Sequence, residues 1–268
     1  MMIRKSLFVF AAFVSLASAG VRSGKAEAEW IGAATTYEPG KPLQMAIRLV
    51  IDPGWHSYWS NPGDAGMRTS VKWELPAGWL AGELENPLPE RFTGAGIAGF
   101  GYRGTVVFPV VFTPPAGFRG TANLKARVSW LTCDDRSCVP GNAELSFSLN
   151  EGDPATTPEA ELIDQALARV PRVRPEWGSL EVDEMNGKLV LRIVRKNQSP
   201  EDLSGWDVFP VTPGVIHPGA PIGFKREGDA WITTVAKGDY APAQVREFAL
   251  VMAAKSGEPS VMLDWKIR

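Results

Sequence analysis

Cys133 and Cys138 are the only cysteines in the chain, set in SWLTCDDRSCVPG (residues 129–141) with four residues between them. Two thiols can form a structural cross-link, clip a metal ion or cycle as a redox pair. The spacing is too wide for the C-x-x-C of thioredoxin-like enzymes. Zinc wants about four Cys, His or carboxylate ligands. Only His56 and His217 are available, and neither stands at a standard spacing from the cysteines. The methionines are scattered, which offers no soft copper site. No phosphate loop is present, and neither histidine lies in a hydrolase motif.

The geometry of a bridge constrains the segment. Extended chain rises about 3.3 Å per residue, so five steps would part the Cα atoms by roughly 16 Å. A disulfide needs them within about 7 Å. Residues 134–137, Asp-Asp-Arg-Ser, are turn formers between apolar strands, so the expectation is a hairpin bridged near its tip. Closing so short a loop constrains the unfolded chain by only about 2 kcal/mol, against about 4.7 for a 100-residue loop. Cross-strand Cβ separations also tend to exceed the disulfide optimum. Strained or exposed disulfides are the more easily reduced ones. Spacing therefore favours a redox role, with a structural staple next and a metal clip last.

The compartment must allow a disulfide. Arg4 and Lys5 precede the apolar run SLFVFAAFVSLASA, and Ala17-Ser18-Ala19 offers a cleavage site. This reads as a secretory signal peptide over residues 1–19, with KAEAEW allowing cleavage as late as residue 28. The apolar run falls short of the roughly 20 residues that span a bilayer, which disfavours a membrane anchor. The compartment implied is a bacterial periplasm, where disulfides persist. Net charge is −2 without a block of Lys or Arg, which argues against nucleic acid as a partner.

The elements that must position the cysteines read as strands. LQMAIRLVI (43–51), TSVKWEL (69–75), GTVVFPVVF (104–112), ANLKARVSWL (122–131) and AELSFSLN (143–150) are separated by Gly, Pro and Asp turns. After residue 152 the texture changes. Thr157 is placed to cap a helix with Pro158 at its first position, and Leu162, Ile163, Ala166, Leu167 and Val170 share one face. From residue 177 strands return at 187–195, 206–212, 229–237, 247–255 and 259–267, with Asn186-Gly187 and Gly228-Asp229 as hairpin turns. The expectation is an all-β protein: an immunoglobulin-like sandwich over 30–152, a helical linker over 153–176 and a smaller sandwich over 177–268.

A resemblance bears on the cysteines. DPGWHSYWSNPGDAGMRTSVKWELPAGW, ENPLPERF, GYRGTVVFPV and VSWLTCDDRSCVPGNAELSFSL, in that order, resemble the periplasmic N-terminal domain of the DsbD/ScsB family of thiol:disulfide interchange proteins. SGWDVFPVTPGVI is similar to the second β domain of ScsB-type members. The resemblance implies that Cys133 and Cys138 relay electrons from a membrane domain to periplasmic thioredoxin-fold partners. It implies further that Cys138 forms the mixed disulfide while Cys133 resolves it, and that no organic cofactor is needed. Family hub proteins continue into a membrane domain and a thioredoxin-like domain, whereas this sequence stops at MLDWKIR. The expectation is a separate membrane electron donor. A non-catalytic binding or assembly module with a structural disulfide is the alternative, and a metal-handling protein, suggested by the copper tolerance associated with ScsB-type relatives, is the third.

The same resemblance implies an aromatic cap over the disulfide. Phe92 in PERFTGAGIAGFGY is the candidate, Phe100 the alternative, and Gly94, Gly96 and Gly99 would let the loop move. A Phe that merely anchors a Gly-rich loop is the plainer reading. His56 and Tyr58 share a face if extended, and could line the site and exchange protons with a leaving thiolate. Asp134 and Asp135 should raise the thiol pKa of Cys133, with Arg136 opposing, or one carboxylate could protonate a leaving sulfur. The alternative is a solvated hairpin tip. His217 reads as a turn residue, and Trp55, Trp59, Trp73 and Trp130 as core.

Overall fold

The computed structural model describes residues 20–94, 97–255 and 260–267. The signal-peptide reading of residues 1–19, and Gly96 among the loop glycines, fall outside the described residues. The first half of the described chain folds as β1 (Val21–Ser23), β2 (Ala26–Gly32), β3 (Thr36–Tyr37), β4 (Leu43–Ile51), β5 (Ser57–Gly63), β6 (Ser70–Glu74), β7 (Leu80–Ala81), β8 (Glu90–Gly94), β9 (Ile97–Tyr102), β10 (Thr105–Thr113), β11 (Ala122–Cys133) and β12 (Cys138–Glu151). Helix α1 (Glu159–Ala168) follows. Then come β13 (Arg172–Val173), β14 (Gly178–Met185), β15 (Lys188–Arg195), β16 (Trp206–Pro210), β17 (Lys225–Glu227), β18 (Ala230–Ala236), β19 (Glu247–Ala254) and β20 (Val261–Lys266). The fold is the expected all-β, immunoglobulin-like class with one short helix.

Alternation builds the first sandwich. Along β11, Ala122, Leu124, Ala126, Val128 and Trp130 point inward, and Ala143, Leu145, Phe147 and Leu149 do the same on β12. They belong to the sheet β3-β12-β11-β6, which closes on the sheet β1-β2-β4-β10-β7. From that side Trp30, Ile47, Leu49, Phe108 and Phe112 enter the same core. Trp59 and Trp130 are buried in it, and Trp55 and Trp73 pack against it, as expected of core tryptophans. Ala26 and Ala28 are fully buried in β2, so ordered packing begins ahead of residue 30. A third, smaller sheet, β5-β9-β8, stands at one end of the sandwich.

The helix differs from a bare linker in two ways. Ile163 and Ala166 pack on Ile31, Ala46 and Val107, covering the outer face of the first sandwich. The capping expectation for Thr157 is also corrected. Pro158 occupies the cap position without a side-chain cap bond. The Thr157 hydroxyl donates instead to the Gly32 carbonyl, and its amide donates to Ala33. Tying the chain to the end of β2 satisfies Thr157 better than capping, because those strand-end carbonyls would otherwise lie unpaired beneath the helix.

The second half forms two sheets, β13-β20-β19-β16 and β14-β15-β18-β17, around Leu191, Ile193, Trp231, Phe248 and Leu250. Asn186 and Gly187 both take positive φ, 53° and 74°, closing the β14–β15 hairpin as their sequence suggests. The halves touch: Phe209, Val251 and Ala253 belong to the core cluster of the first sandwich.

Docking of α1 makes a testable difference. Ile163→Ala should lower unfolding free energy by about 2–4 kcal/mol in urea titrations, the cost of a core cavity. The exposed Glu161→Ala should stay within about 0.5 kcal/mol. Equal, small effects would mean that the helix is a solvated connector.

Candidate active site

The cysteines close the hairpin of β11 and β12, where Cys133 pairs with Cys138 at the end of a twelve-step register. They form a disulfide. On its other side Cys133 pairs with His56, just before β5. The His56 amide donates to the Cys133 carbonyl at 2.9 Å, and the Cys133 amide donates to the His56 carbonyl at 3.0 Å. Both polar groups of Cys133 are therefore turned to His56. Toward Cys138 it presents the close, non-hydrogen-bonded kind of pair, with Cα atoms 4.1 Å apart. The mismatch that sequence alone suggests for a cross-strand bridge is eased by this register. His56, Cys133 and Cys138 form one lateral row, and directly opposed residues carry their side chains on the same face.

The turn is held by a side chain. One Asp134 carboxylate oxygen accepts from the Arg136 amide at 2.9 Å, the Ser137 amide at 2.6 Å and the Ser137 hydroxyl at 3.1 Å. The two backbone donors hold the Asp134 carboxyl below its ordinary pKa, with Ser137 and Arg136 adding to the effect. A carboxylate held in its ionised form has no proton to give a leaving sulfur. Asp134 is thus a turn-builder. Asp135 is exposed and lines the cleft.

That cleft, about 130 Å³, is lined by His56, Tyr58, Phe92, Arg103, Asp135 and both cysteines, among others. The two sulfur-bearing residues differ sharply in access. Cys133 is 2% exposed, whereas Cys138 lies open to solvent. A thiol arriving from outside meets Cys138 first. Attack there would expel Cys133 as the leaving thiolate, beside the imidazole of His56.

A family comparison agrees with this geometry. The model described as "Thiol:disulfide interchange protein DsbD, N-terminal" matches residues 27–150. Residues 27–150 are a DsbD N-terminal domain. Over nearly the whole chain, the N-terminal periplasmic domain of ScsB from Proteus mirabilis superimposes with a TM-score of 0.69 at 21% identity, covering 95% of this chain and 99% of that one. That likeness shows a shared fold. Spo0M, a sporulation control protein from Bacillus subtilis, reaches a TM-score of 0.24 at 8% identity with 91% of each chain covered, and carries no argument. The same holds for AvmM, which catalyses macrocyclization in alchivemycin A biosynthesis, at a TM-score of 0.23 and 16% identity over 49% of this chain and 92% of that one. No curated protein matches the chain by sequence. The DsbD N-terminal domain is a thiol–disulfide interchange module.

Within this domain the two cap candidates part company. Phe92 packs on His56 with ring centroids 4.1 Å apart and faces Tyr58 at 6.1 Å. Phe100 is fully buried among Trp59 and Phe209, away from the cleft, and is corrected from cap to core. Strand alternation explains the split. Phe92 and Phe100 lie on different strands of one small sheet and face opposite sides of it. The glycines are corrected as well. Gly94 and Gly99 lie in paired strands rather than in a mobile loop. A Cβ at Gly99 would stand 2.5 Å from the Phe92 ring, so the glycine makes the seat on which that ring rests.

Arg103 is the residue that sequence reasoning missed. It sits at the β9–β10 turn, 5.2 Å from the Phe92 ring centroid, and pairs with Glu90 at 3.3 Å. No spacing rule ties it to the cysteines, because the sheet brings it there. Its charge opposes protonation of His56, although burial is the larger cause of that residue's lowered pKa; Asp135 and Asp134 pull the other way. Burial raises the Tyr58 hydroxyl above its ordinary value. His217 does lie in a turn, accepting from the Gly219 amide at 3.1 Å. Among the described residues, no three His, Cys, Asp or Glu side chains converge as a metal site.

The His56 shift can be checked by NMR. In the folded protein its titration should fall below the ordinary value of 6.5. The unfolded chain then binds the proton first, so stability present above that value is lost as pH falls toward the folded pKa. Phe92→Ala should move the midpoint back up, since burial is its leading cause. An unmoved midpoint would mean that Phe92 does not bury the imidazole.

Proposed function

We propose that this chain is a periplasmic protein that passes reducing equivalents through Cys133 and Cys138, from a separate membrane electron donor to thioredoxin-fold partners. The observation that carries the reading is the asymmetry of the pair, with an exposed Cys138 and a buried Cys133 at the mouth of a shaped cleft. A locked staple has no use for such a cleft. In the charging step a donor thiolate attacks the Cys138 sulfur, the S–S bond breaks, and Cys133 departs as a thiolate that takes up a proton. The donor's second thiolate then attacks its own sulfur in the mixed disulfide, leaving as a disulfide and freeing Cys138. Two electrons have moved, and the protein is a dithiol. In the discharging step the Cys138 thiolate attacks a partner disulfide, and Cys133 attacks Cys138 to release the reduced partner. Cys133 must lose its proton for that last step, and His56, neutral at working pH and next in the row, is placed to accept it.

Residues 1–19 are read as a signal peptide for export. Cleavage as late as residue 28 would remove the buried Ala26 and Ala28 of β2, which favours the earlier site. The division into residues 30–152, 153–176 and 177–268 is retained as an assignment, with the first sandwich as the exchange domain. Tyr58 lines the cleft beside His56. Among the described residues no helix is long and apolar enough to cross a membrane.

Trapping tests the direction of attack. With Cys133→Ala, the lone Cys138 should accumulate a mixed disulfide with a thioredoxin-fold partner, while Cys138→Ala should trap at least tenfold less. Equilibration against thiol buffers should give a reduction potential near or above roughly −230 mV. A value below roughly −300 mV, with partner binding unchanged in the double variant, would make the protein a binding module with a structural disulfide.

A further inference from the structure

The strand that carries Phe92 is held from behind. Among the described residues β8 is an edge strand, paired on one side, with β9. Side chains alternate along it, so Glu90, Phe92 and Gly94 look toward the cleft, where Glu90 meets Arg103 and a Cβ at Gly94 would lie 3.3 Å from the Asp135 carboxylate. Arg91 looks the other way, toward the second sandwich. Its guanidinium donates to the carbonyl of Val208 at 2.7 Å and to that of Pro218. It also lies 4.9 Å from the Phe100 ring centroid and 5.6 Å from that of Phe209. Arg91 as a whole residue is exposed, while its guanidinium end is tucked against β16 and the 217–219 turn, and desolvation there is the leading cause that holds its pKa below the ordinary value.

Other contacts run along the same seam. Asn61, 2% exposed in β5, donates to the Pro210 carbonyl at 2.8 Å. Asp64 accepts from the Ala98 amide at 2.8 Å and faces His217 of the second sandwich at 3.8 Å. The small sheet thus presents one face to the disulfide and the other to β16 and the 217–219 turn. Arg91 makes two charge-assisted bonds across this seam, to Val208 and Pro218, where Asn61 makes one neutral bond.

We propose that Arg91 is a positioning residue through which the second sandwich fixes the Phe92 wall of the cleft, so that outside reagents reach Cys138 and not Cys133. The inference rests on the disulfide-cleft reading above but not on any relay. Phe92 covers His56, His56 flanks Cys133, and Cys138 stands on the far side of the row. Loosening the wall therefore uncovers the inner sulfur and leaves the outer one as it was.

The test uses the full mature chain with single cysteines. Cys138→Ala leaves Cys133 as the only thiol, and Cys133→Ala leaves Cys138. Alkylation by iodoacetamide is followed by mass spectrometry across pH. Arg91→Met keeps an unbranched apolar stem and removes the guanidinium with its donors. It should raise the alkylation rate of Cys133 about tenfold at every pH, without moving the midpoint of its pH profile, while Cys138 changes less than twofold. Leu263→Ala, in the core of the second sandwich on β20, serves as the comparison for general loosening and should leave both rates within twofold. The proposal is overturned if Arg91→Met leaves Cys133 unchanged, speeds both cysteines alike, or acts no differently from Leu263→Ala. If Arg91→Met does not fold, Arg91→Lys, which keeps the charge but not the fork, should still quicken Cys133 severalfold; no rise would overturn the proposal. Alkylation needs neither partner nor redox couple, so it reads the wall even if the exchange reading fails.

Discussion

Two main-chain hydrogen bonds between His56 and Cys133 are the constraint from which the site follows. They join the start of the small end sheet to the longest hairpin of the first sandwich. Because they use both polar groups of Cys133, the pairing with Cys138 takes the close register that a disulfide can bridge. The same bonds carry the imidazole to the side of the inner sulfur. Slipping this pairing by one residue would turn His56 to the opposite face and away from the Phe92 ring. The chemistry of the cleft is thus written in backbone register before any side chain takes part.

Much of this was legible in the sequence. The hairpin followed from five steps of chain between two thiols, because no extended segment can close a disulfide over that span. β4, β10, β11 and β15 showed themselves through β-rich apolar runs, and the Asn186-Gly187 turn through its composition. The order of two motifs, around His56 and around Cys133, marked the family. Other features were hidden for definable reasons. Phe92 and Phe100 are equivalent as residues, and only pairing with Gly99 decides which one faces the cleft. Arg103 and Arg91 are ordinary surface cations by sequence, given work only by what the sheets bring near them. Thr157 matched a capping pattern, but strand-end carbonyls beneath the helix were the better partners. Local propensity cannot register an offer made by another element.

The two sandwiches are neighbours with a shared seam rather than separate beads. Phe209 sits among Trp59 and Phe100, and Asn61 reaches a carbonyl of β16. These residues fill the back of the sheet whose front lines the cleft. An interface of this kind makes the second half part of the scaffold on which the exchange domain's geometry rests, whatever else it binds.

Asp134 gives the hairpin tip a property of its own. Its carboxylate holds the turn through three donors, and the Asp134 amide adds a backbone bond to Ser137 at 2.9 Å. None of these bonds involves sulfur. A tip clasped in this way keeps its two thiols facing each other after the bond between them opens. In the proposed exchange the inner thiol would then meet a mixed disulfide at high effective molarity, without a conformational search. Short-lived intermediates and little rearrangement between redox states are what such a clasp confers.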